Sequence, residues 1–296
     1  MRDGINLVLL VTVAAGFGIA YVFIKLGEQS IAPITEMAGR ASVAFICLLI
    51  VSLILRKDLL AHIKDLWRFL VFGILSAVLL YLGLAFGEEY TAAGVSSVMV
   101  SSVPLLTFII MVFILREKSF SITGMVGLII GIIGLILVVG IHNVMHGGST
   151  LIGVLILLSG FVSFTINGVL VPKIGKGIDP IITTTYLLGW AAIILLVLAF
   201  LFESPLTTPI TSDNILIELG LGIISTAFAV LGYYVLIKRA DPFFASISLY
   251  LVPVFGVVLS FFILGERVDR LQILGIAVVL LGVYLINRAN FKNHAG

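Results

Sequence analysis

Long apolar runs without charge constrain this chain more than any other feature of its sequence. Two such runs, at 242–265 and 271–287, are separated by five residues, four of which are charged. A helix needs about 20 apolar residues to cross the roughly 30 Å hydrocarbon core of a bilayer. The two runs are close to this length, so they predict two consecutive membrane-spanning helices.

The composition indicates that lipid is the solvent of the whole chain. Of its 296 residues, 61% are apolar and 11% are charged, whereas soluble domains have roughly 25% charged residues. The single cysteine, Cys47, excludes an intrachain disulfide and argues against a cysteine-based metal site. We therefore predict an all-α membrane protein with ten transmembrane helices, at approximately 5–25, 34–55, 68–87, 91–115, 120–141, 151–172, 180–202, 215–237, 242–264 and 270–287.

The chain carries an internal duplication. Pro104 and Pro253 are 149 positions apart. The same offset relates Gly83 to Gly232, Ser97 to Ser246, Leu115 to Leu264 and Glu117 to Glu266. A fixed offset of half the chain length indicates a repeat, so we place a first repeat of helices 1–5 at 1–145 and a second of helices 6–10 at 146–296.

The loop charges predict the orientation. With the N-terminus in the cytoplasm, the predicted cytoplasmic segments hold 13 of the 17 lysines and arginines. The outer segments hold three, and Arg40 lies within a helix. Positive residues favour the cytoplasmic side, so we expect a plasma-membrane protein with both termini cytoplasmic. Five helices per repeat is an odd number, so the second repeat must be inverted, as in many secondary transporters with a midplane site.

Aromatic and polar side chains inside the predicted helices are the candidate substrate-binding residues. Packing between helices is the alternative role for the aromatic pair of helix 1. The prolines remove a backbone donor and should bend helices 4 and 9, which gives them a gating role or only a packing role. The binding candidates are Phe17, Tyr21, Tyr81, Ser97, Ser101, Asn167, Tyr233, Ser246 and Tyr250, and the kink candidates are Pro104 and Pro253.

Glu36 and Arg40 are four residues apart in helix 2 and share one face. An ion pair at this spacing would neutralise both groups, since a lone charge at membrane depth costs about 2.5–3.5 kcal/mol. The pair is therefore either a structural tie near the outer end or part of coupling to a proton. Glu88 and Glu89 are expected to lie outside the membrane. The glycines of helix 5, including Gly127 and Gly131, predict close helix packing or a dimer face.

Several functions are excluded by what the sequence lacks. It has no phosphate-binding loop, no HExxH motif and no acidic calcium loop. His142 and His146 stand four apart without a carboxylate or cysteine nearby, so no metal site or other cofactor is predicted. The net charge of +2, without a basic cluster, argues against a nucleic-acid partner. We do not expect an enzyme.

The two repeat ends carry a likeness to a known family. Residues 248–283, with Tyr250-Leu251-x-Pro253, Leu264-Gly265-Glu266-Arg267, Gly275 and Gly282, resemble the second EamA repeat of the drug/metabolite transporter superfamily. The first half is similar to the same repeat through residues 90–95, Pro104, Leu115-x-Glu117, Pro33 and Arg40. The chain departs from the family at Phe17, where many members have tryptophan, and at Arg116, where the repeat has glycine.

The resemblance implies a ten-helix carrier whose central cavity is lined mainly by helices 1, 3, 4, 6, 8 and 9. We expect an exporter of amino acids or similar metabolites that works by alternating access, as a monomer or homodimer. The partners would be a small-molecule substrate, the lipid bilayer and, in the case of coupling, a proton or an exchange substrate. Broad drug efflux, a nucleotide-sugar or nucleoside carrier, and a non-transporting scaffold are the alternatives.

Overall fold

Ten long helices follow one another in the part of the chain that the structure describes. The computed structural model describes residues 2–116, 122–139, 149–207, 211–240, 242–267 and 269–292, and has no strand within those ranges. The predicted fold class is confirmed. The helices are α1 Arg2–Gly27, α2 Pro33–Ile54, α3 Leu60–Glu88, α4 Ala93–Ile114, α5 Ile122–Val139, α6 Ser149–Ile174, α7 Pro180–Phe202, α8 Ser212–Arg239, α9 Phe244–Leu264 and α10 Arg270–Lys292.

Eight of these helices are long and apolar enough to cross a membrane. The other two, α5 and α10, have shorter apolar stretches, Ile122–Val138 and Arg270–Gly282. The proposed boundary between the repeats, at 145/146, lies outside the described residues, as do His142 and His146.

The helix ends gather at two opposite ends of the bundle. At one, Lys25 donates to the backbone oxygen of Glu88 at 2.6 Å; we call this the Glu88 end. At the other, Lys57 bonds Asp179 at 2.7 Å; we call this the Lys57 end. Partial burial alone would raise the pKa of Asp179, but hydrogen bonds from Lys57 and the Ile181 amide outweigh it and lower the pKa.

The second half is inverted relative to the first. Helix α1 ends at the Glu88 end, whereas α6 begins there, with Gly153 against the backbone oxygen of Gly87. Helix α8 likewise runs from the Glu88 end to the Lys57 end, where Arg239 donates to Asn6 of α1 at 2.8 Å. Corresponding helices therefore run in opposite directions, as an odd number of helices per half requires.

Most of the packing joins one half to the other. Helix α2 packs on α7, α5 packs on α10, α1 lies against α8 and α9, and α6 lies against α3 and α4. Glycines bring α5 and α10 into contact, because a Cβ on Gly282 would lie 2.5 Å from the Gly131 amide nitrogen. The described glycine face of α5 is thus used within the chain.

Both proline-containing helices are interrupted where the sequence predicts a bend. Helix α4 breaks between Ala93–Met99 and Ser102–Ile109, just before Pro104. Helix α9 passes through a 3₁₀ turn at Ser248–Tyr250 before Pro253. Wide π turns occur in both halves, at Ile110–Ile114 and Ser260–Leu264, and at Ile74–Val78 and Gly220–Phe228. Such turns are frequent at functional sites because they redirect side chains.

Two carboxylates bind helix N-termini that belong to the other half. Glu203, after α7, accepts hydrogen bonds from the Ile34 and Thr35 amides of α2 at 2.9 and 2.7 Å. Glu266, after α9, accepts from the Ala93 and Gly94 amides of α4, both at 2.9 Å. The first amides of a helix have no partner within the helix, and a negative charge there is favourable. These bonds hold the halves together at the Glu88 end.

We expect Glu266→Ala to destabilise the protein by about 1–2 kcal/mol, because it removes the acceptor of two helix-terminal amides. The measurement is thermal unfolding of the purified protein in detergent. The matched control is Arg267→Gln, since Arg267 is the exposed neighbour. Equal melting temperatures for the two variants would contradict the capping role.

Candidate functional site

A cavity lies between the two halves of the protein. Its empty space is about 460 Å³ when the open space at its mouth is included. Helices α1, α2, α3 and α4 of the first half line it, together with α6, α8 and α9 of the second. The lining residues are Phe17, Ala20, Tyr21, Arg40, Ser76, Leu80, Tyr81, Leu84, Val100, Phe161, Phe164, Val230 and Leu249.

Helical spacing explains how three helices present several side chains each. Residues three and four apart share a face of an α-helix, and this relates Phe17 to Ala20 and Tyr21 on α1. The same spacing relates Leu80 to Leu84 on α3 and Phe161 to Phe164 on α6. Ser76 lies within the π turn Ile74–Val78. The lining therefore joins regular helix faces to one redirected turn.

Arg40 is fixed at the cavity wall with one donor unused. Its side chain is 2% exposed, and its Nε donates to the hydroxyl of Thr226 at 2.7 Å. The guanidinium carbon lies 4.2 Å from the ring centroid of Tyr81, which is a favourable cation–π distance. Its Nη1 has no hydrogen-bond partner in the described part of the chain. A guanidinium held in this way can bind a carboxylate through the free nitrogen.

Aromatic rings form the wall contributed by α1, α6 and α8. Phe164 lies 5.1 Å from Tyr233 and 6.5 Å from Phe17, measured between ring centroids. Beyond them, the amide nitrogen of Asn167 donates to the hydroxyl of Tyr234. These centroid distances fall in the range in which aromatic pairs attract each other, so the wall is preorganised.

A second cavity, of about 640 Å³ including open space, lies at the Lys57 end. It is enclosed by the end of α6, the start of α7 and the end of α8, and Lys176 and Lys238 are among its lining residues. Tyr234 lines it as well, 6.3 Å from Tyr233 of the aromatic wall. This pair of tyrosines therefore separates the central cavity from the Lys57 end.

Glu36 and Arg40 do not form the ion pair that their spacing suggests. Both are buried, but Arg40 turns to Thr226 and Tyr81, while both oxygens of Glu36 lack a hydrogen-bond partner among the described residues. Gly27 of α1 covers the carboxyl group, since a Cβ there would lie 2.5 Å from Glu36 Cδ. Sharing a helix face was not sufficient for an ion pair, because Arg40 instead contacts Thr226 of α8 and Tyr81 of α3.

Glu88 also differs from the expectation that it lies outside the membrane. It is fully buried at the end of α3, and neither of its carboxyl oxygens has a partner in the described residues. Its neighbour Glu89 is exposed, as expected. The difference arises because α1, α2 and α6 cover the end of α3.

The sequence of this chain matches the EamA-like transporter family twice, at residues 4–140 and at residues 151–288. The chain belongs to the EamA-like transporter family. It is a multi-pass membrane transporter. Each match covers one of the two inverted halves.

Several relatives of this EamA transporter are similar along nearly their whole length. An "Uncharacterized transporter YoaV" of Bacillus subtilis (strain 168) is 27% identical over 93% of this chain and 94% of its own. An "Uncharacterized transporter" of Archaeoglobus fulgidus is 27% identical over 97% of this chain and 99% of its own. A "Protein PagO" of Salmonella typhimurium is 24% identical over 94% and 91%.

One solved crystal structure has the same fold as this EamA transporter. It superimposes with a TM-score of 0.72 at 14% sequence identity, over 97% of this chain and 98% of the other. At this identity the likeness concerns the fold alone.

The EamA transporter brings only part of the predicted binding set to the cavity. Phe17, Tyr21 and Tyr81 line it, and Tyr233 supports the aromatic wall from behind. Asn167 lies beyond that wall. The remaining candidates, Ser97, Ser101, Ser246 and Tyr250, are buried but are not among the lining residues.

The packing of these other candidates explains their positions. Ser97 lies at the crossing of α4 and α9, where a Cβ on Gly256 would meet its side chain. Tyr250 is buried among Leu105, Phe108 and Val279, away from the cavity. In this structure, Ser97 and Tyr250 therefore contact other helices, and a binding role for them stays a prediction.

Sequence reasoning missed Ser76, Phe161 and Phe164 as cavity residues. A signal existed for Phe161, because Ser159-Gly160-Phe161 repeats the small-Gly-Phe pattern of Ala15-Gly16-Phe17. Ser76 had no such signal, since its position at the cavity depends on a π turn that the sequence does not predict.

Proposed function

We propose that this EamA transporter exports amino acids, or metabolites of similar size that carry one carboxylate, by alternating access across the plasma membrane. The observation that carries this proposal is the free Nη1 of Arg40 at the wall of an aromatic cavity between the halves. The guanidinium would bind the carboxylate, and the rings of Phe17, Phe161 and Phe164 would contact the side chain.

The charge of the cavity lining supports this substrate class. Arg40 is the only lysine or arginine among the lining residues. A nucleotide sugar, with two phosphate charges, would require more positive charge, so the cavity favours a substrate with one anionic group.

Alternating access is supported by the arrangement of the two ends. Glu203 and Glu266 join the halves at the Glu88 end, where a cavity of about 330 Å³ lies beside Glu266, while a larger one of about 640 Å³ lies at the Lys57 end, both counted with open space. We propose that the Lys57 end and both termini face the cytoplasm, because 13 of the 17 lysines and arginines belong to segments predicted on that side. Reporter fusions to the C-terminus, one active only in the cytoplasm and one only outside, test the orientation.

Broad drug efflux is the second candidate, and the apolar lining favours it. Nine of the 13 lining residues are aliphatic residues or phenylalanines, a surface that also accepts flat hydrophobic cations. Such a cation has no carboxylate for the free guanidinium nitrogen to bind, and the positive charge of Arg40 would repel it.

Counterflow in proteoliposomes separates the two candidates. The purified protein is reconstituted, loaded with each of the 20 amino acids in turn, and supplied outside with a trace of the same radiolabelled compound. Amino-acid amides, which lack the carboxylate, serve as matched controls, and a hydrophobic cationic dye forms the other arm. We expect exchange of amino acids and little exchange of amides. Exchange of the dye without any amino acid would favour drug efflux and overturn the proposal.

A further inference from the structure

Glu88 is a buried carboxyl group for which the structure provides no polar partner. Its side chain is 0% exposed, and neither oxygen has a hydrogen bond to any described residue. The ammonium group of Lys25 is near, but it bonds the backbone oxygen of Glu88 at 2.6 Å and the carboxylate of Glu28 at 2.8 Å. The lysine therefore stabilises the end of α3 without forming a salt bridge to the Glu88 carboxyl group.

The charged groups around Glu88 come from the ends of several helices. Both acids and cations lie there, and neither cation is hydrogen-bonded to the Glu88 carboxyl group. Lys25 bonds Glu28, and Arg40 bonds Thr226 through its Nε. Helix α6 packs on the end of α3 through Gly153 and Leu157, which carry no charge. Four charged groups interact electrostatically with Glu88: Lys25 of α1, Glu28 just after α1, Arg40 of α2, and Glu266 after α9. Glu36 of α2 in turn interacts with Glu88 and with Glu218 of α8.

Glu28 shows the same tendency at the membrane edge. It lies just past the end of α1, outside the membrane-spanning segment. Burial raises the pKa of Glu28, although its hydrogen bond to Lys25 opposes the effect. The surroundings of Glu28 thus favour the neutral acid.

Burial without a partner determines the protonation state of Glu88. An ionised carboxylate costs several kcal/mol to bury without a counter-ion, and a group in this position binds a proton instead. The same group lies four residues beyond Leu84, a lining residue, and therefore on the same face of α3. The guanidinium of Arg40 lies over Tyr81, which also lines the cavity from α3.

We propose that Glu88 is the proton-binding site of this transporter and that the ammonium group of an amino acid displaces its proton. This inference rests on the proposed function. When the substrate carboxylate binds Arg40, its ammonium group supplies the positive charge that Glu88 lacks. The O–H bond of the carboxyl group then breaks, and the proton passes to water on the cytoplasmic side. After the amino acid leaves on the other side, Glu88 takes up a proton from the water there, so that one proton enters for each amino acid exported.

The test measures accumulation driven by a pH gradient and counterflow in the same proteoliposomes. With one proton exchanged per amino acid, a gradient of one pH unit should sustain an about tenfold accumulation of the radiolabelled amino acid. We expect Glu88→Gln to lose this accumulation and to retain counterflow at a reduced rate. The matched control is Glu89→Gln, at the exposed neighbouring position, which should accumulate the amino acid as the unmodified protein does.

Each result decides between the proposals. Tenfold accumulation by Glu88→Gln would overturn the inference. Loss of gradient-driven accumulation in Glu36→Gln but not in Glu88→Gln would also overturn it. If the unmodified protein exchanges amino acids by counterflow but does not accumulate them in response to the pH gradient, the inference is overturned and the proposed function stands. Absence of counterflow for all 20 amino acids would overturn both.

A second measurement does not depend on the folding of a variant. The purified unmodified protein, in weakly buffered detergent with a pH dye, should release about one proton per bound amino acid. An amino-acid ester lacks the carboxylate, so it should release far fewer protons at the same concentration. Binding of the amino acid without proton release would contradict the inference.

Discussion

Arg40→Gln should reduce amino-acid counterflow about 10- to 100-fold, mainly through a higher KM. A hydrogen bond to a charged group contributes about 1.5–3 kcal/mol, and each 1.4 kcal/mol is a tenfold change in affinity. Glutamine can still reach Thr226 as a neutral group, but it removes the charge that would bind the substrate carboxylate. The measurement is the concentration dependence of counterflow in proteoliposomes.

The control for this substitution is Arg68→Gln. Arg68 also lies over an aromatic ring, that of Trp67 at 5.5 Å, and bonds Asp65 at 2.8 Å, but it is at the protein surface. The Arg68→Gln substitution should leave the KM of counterflow unchanged. Arg40→Lys keeps the charge and should recover part of the affinity. An unchanged KM in a folded Arg40→Gln protein would remove Arg40 from the binding site.

The largest loss of stability is expected from Gly282→Leu. A Cβ at this position would lie 2.5 Å from the Gly131 nitrogen and 2.6 Å from the Gly127 oxygen. Both are backbone atoms of α5, so they cannot move aside as the end of a flexible side chain can. Overpacking of this kind costs about 1–3 kcal/mol or more, because α5 and α10 must separate along their contact.

Thermal unfolding in detergent measures this effect, and Ala277→Leu is the control. Ala277 lies on the same helix and is exposed to lipid, so leucine there should change the melting temperature little. A Gly282→Leu protein as stable as the control would show that the contact of α5 with α10 is loose.

The fold could be predicted from the sequence because a bilayer leaves few choices. Backbone groups in hydrocarbon must bond within their own helix, so length and apolarity alone located the ten helices. The inversion followed from an odd number of helices per repeat. Neither inference required knowledge of which face of a helix meets which neighbour.

Predicting the site required knowing which helix faces meet, and the sequence alone did not provide this. The direction of Arg40 depends on Thr226, a residue of the π turn Gly220–Phe228 in the other half. The burial of Glu88 depends on how α1, α2 and α6 cover the end of α3. Both are contacts between elements far apart in the chain, whereas the aromatic residues of α1 were found because their spacing is local.

Glu203 has no counterpart in the first half, where the position 149 residues earlier is Ile54. Two halves of the same sequence would make the inward-open and outward-open forms equal in energy. The bonds from Glu203 join the end of α7 to the start of α2 at the Glu88 end, so they would favour a form in which that end stays closed. A cap of about 1 kcal/mol changes the ratio of two conformations about fivefold. Under the proposed alternating access, this asymmetry would favour the form in which the Glu88 end is closed.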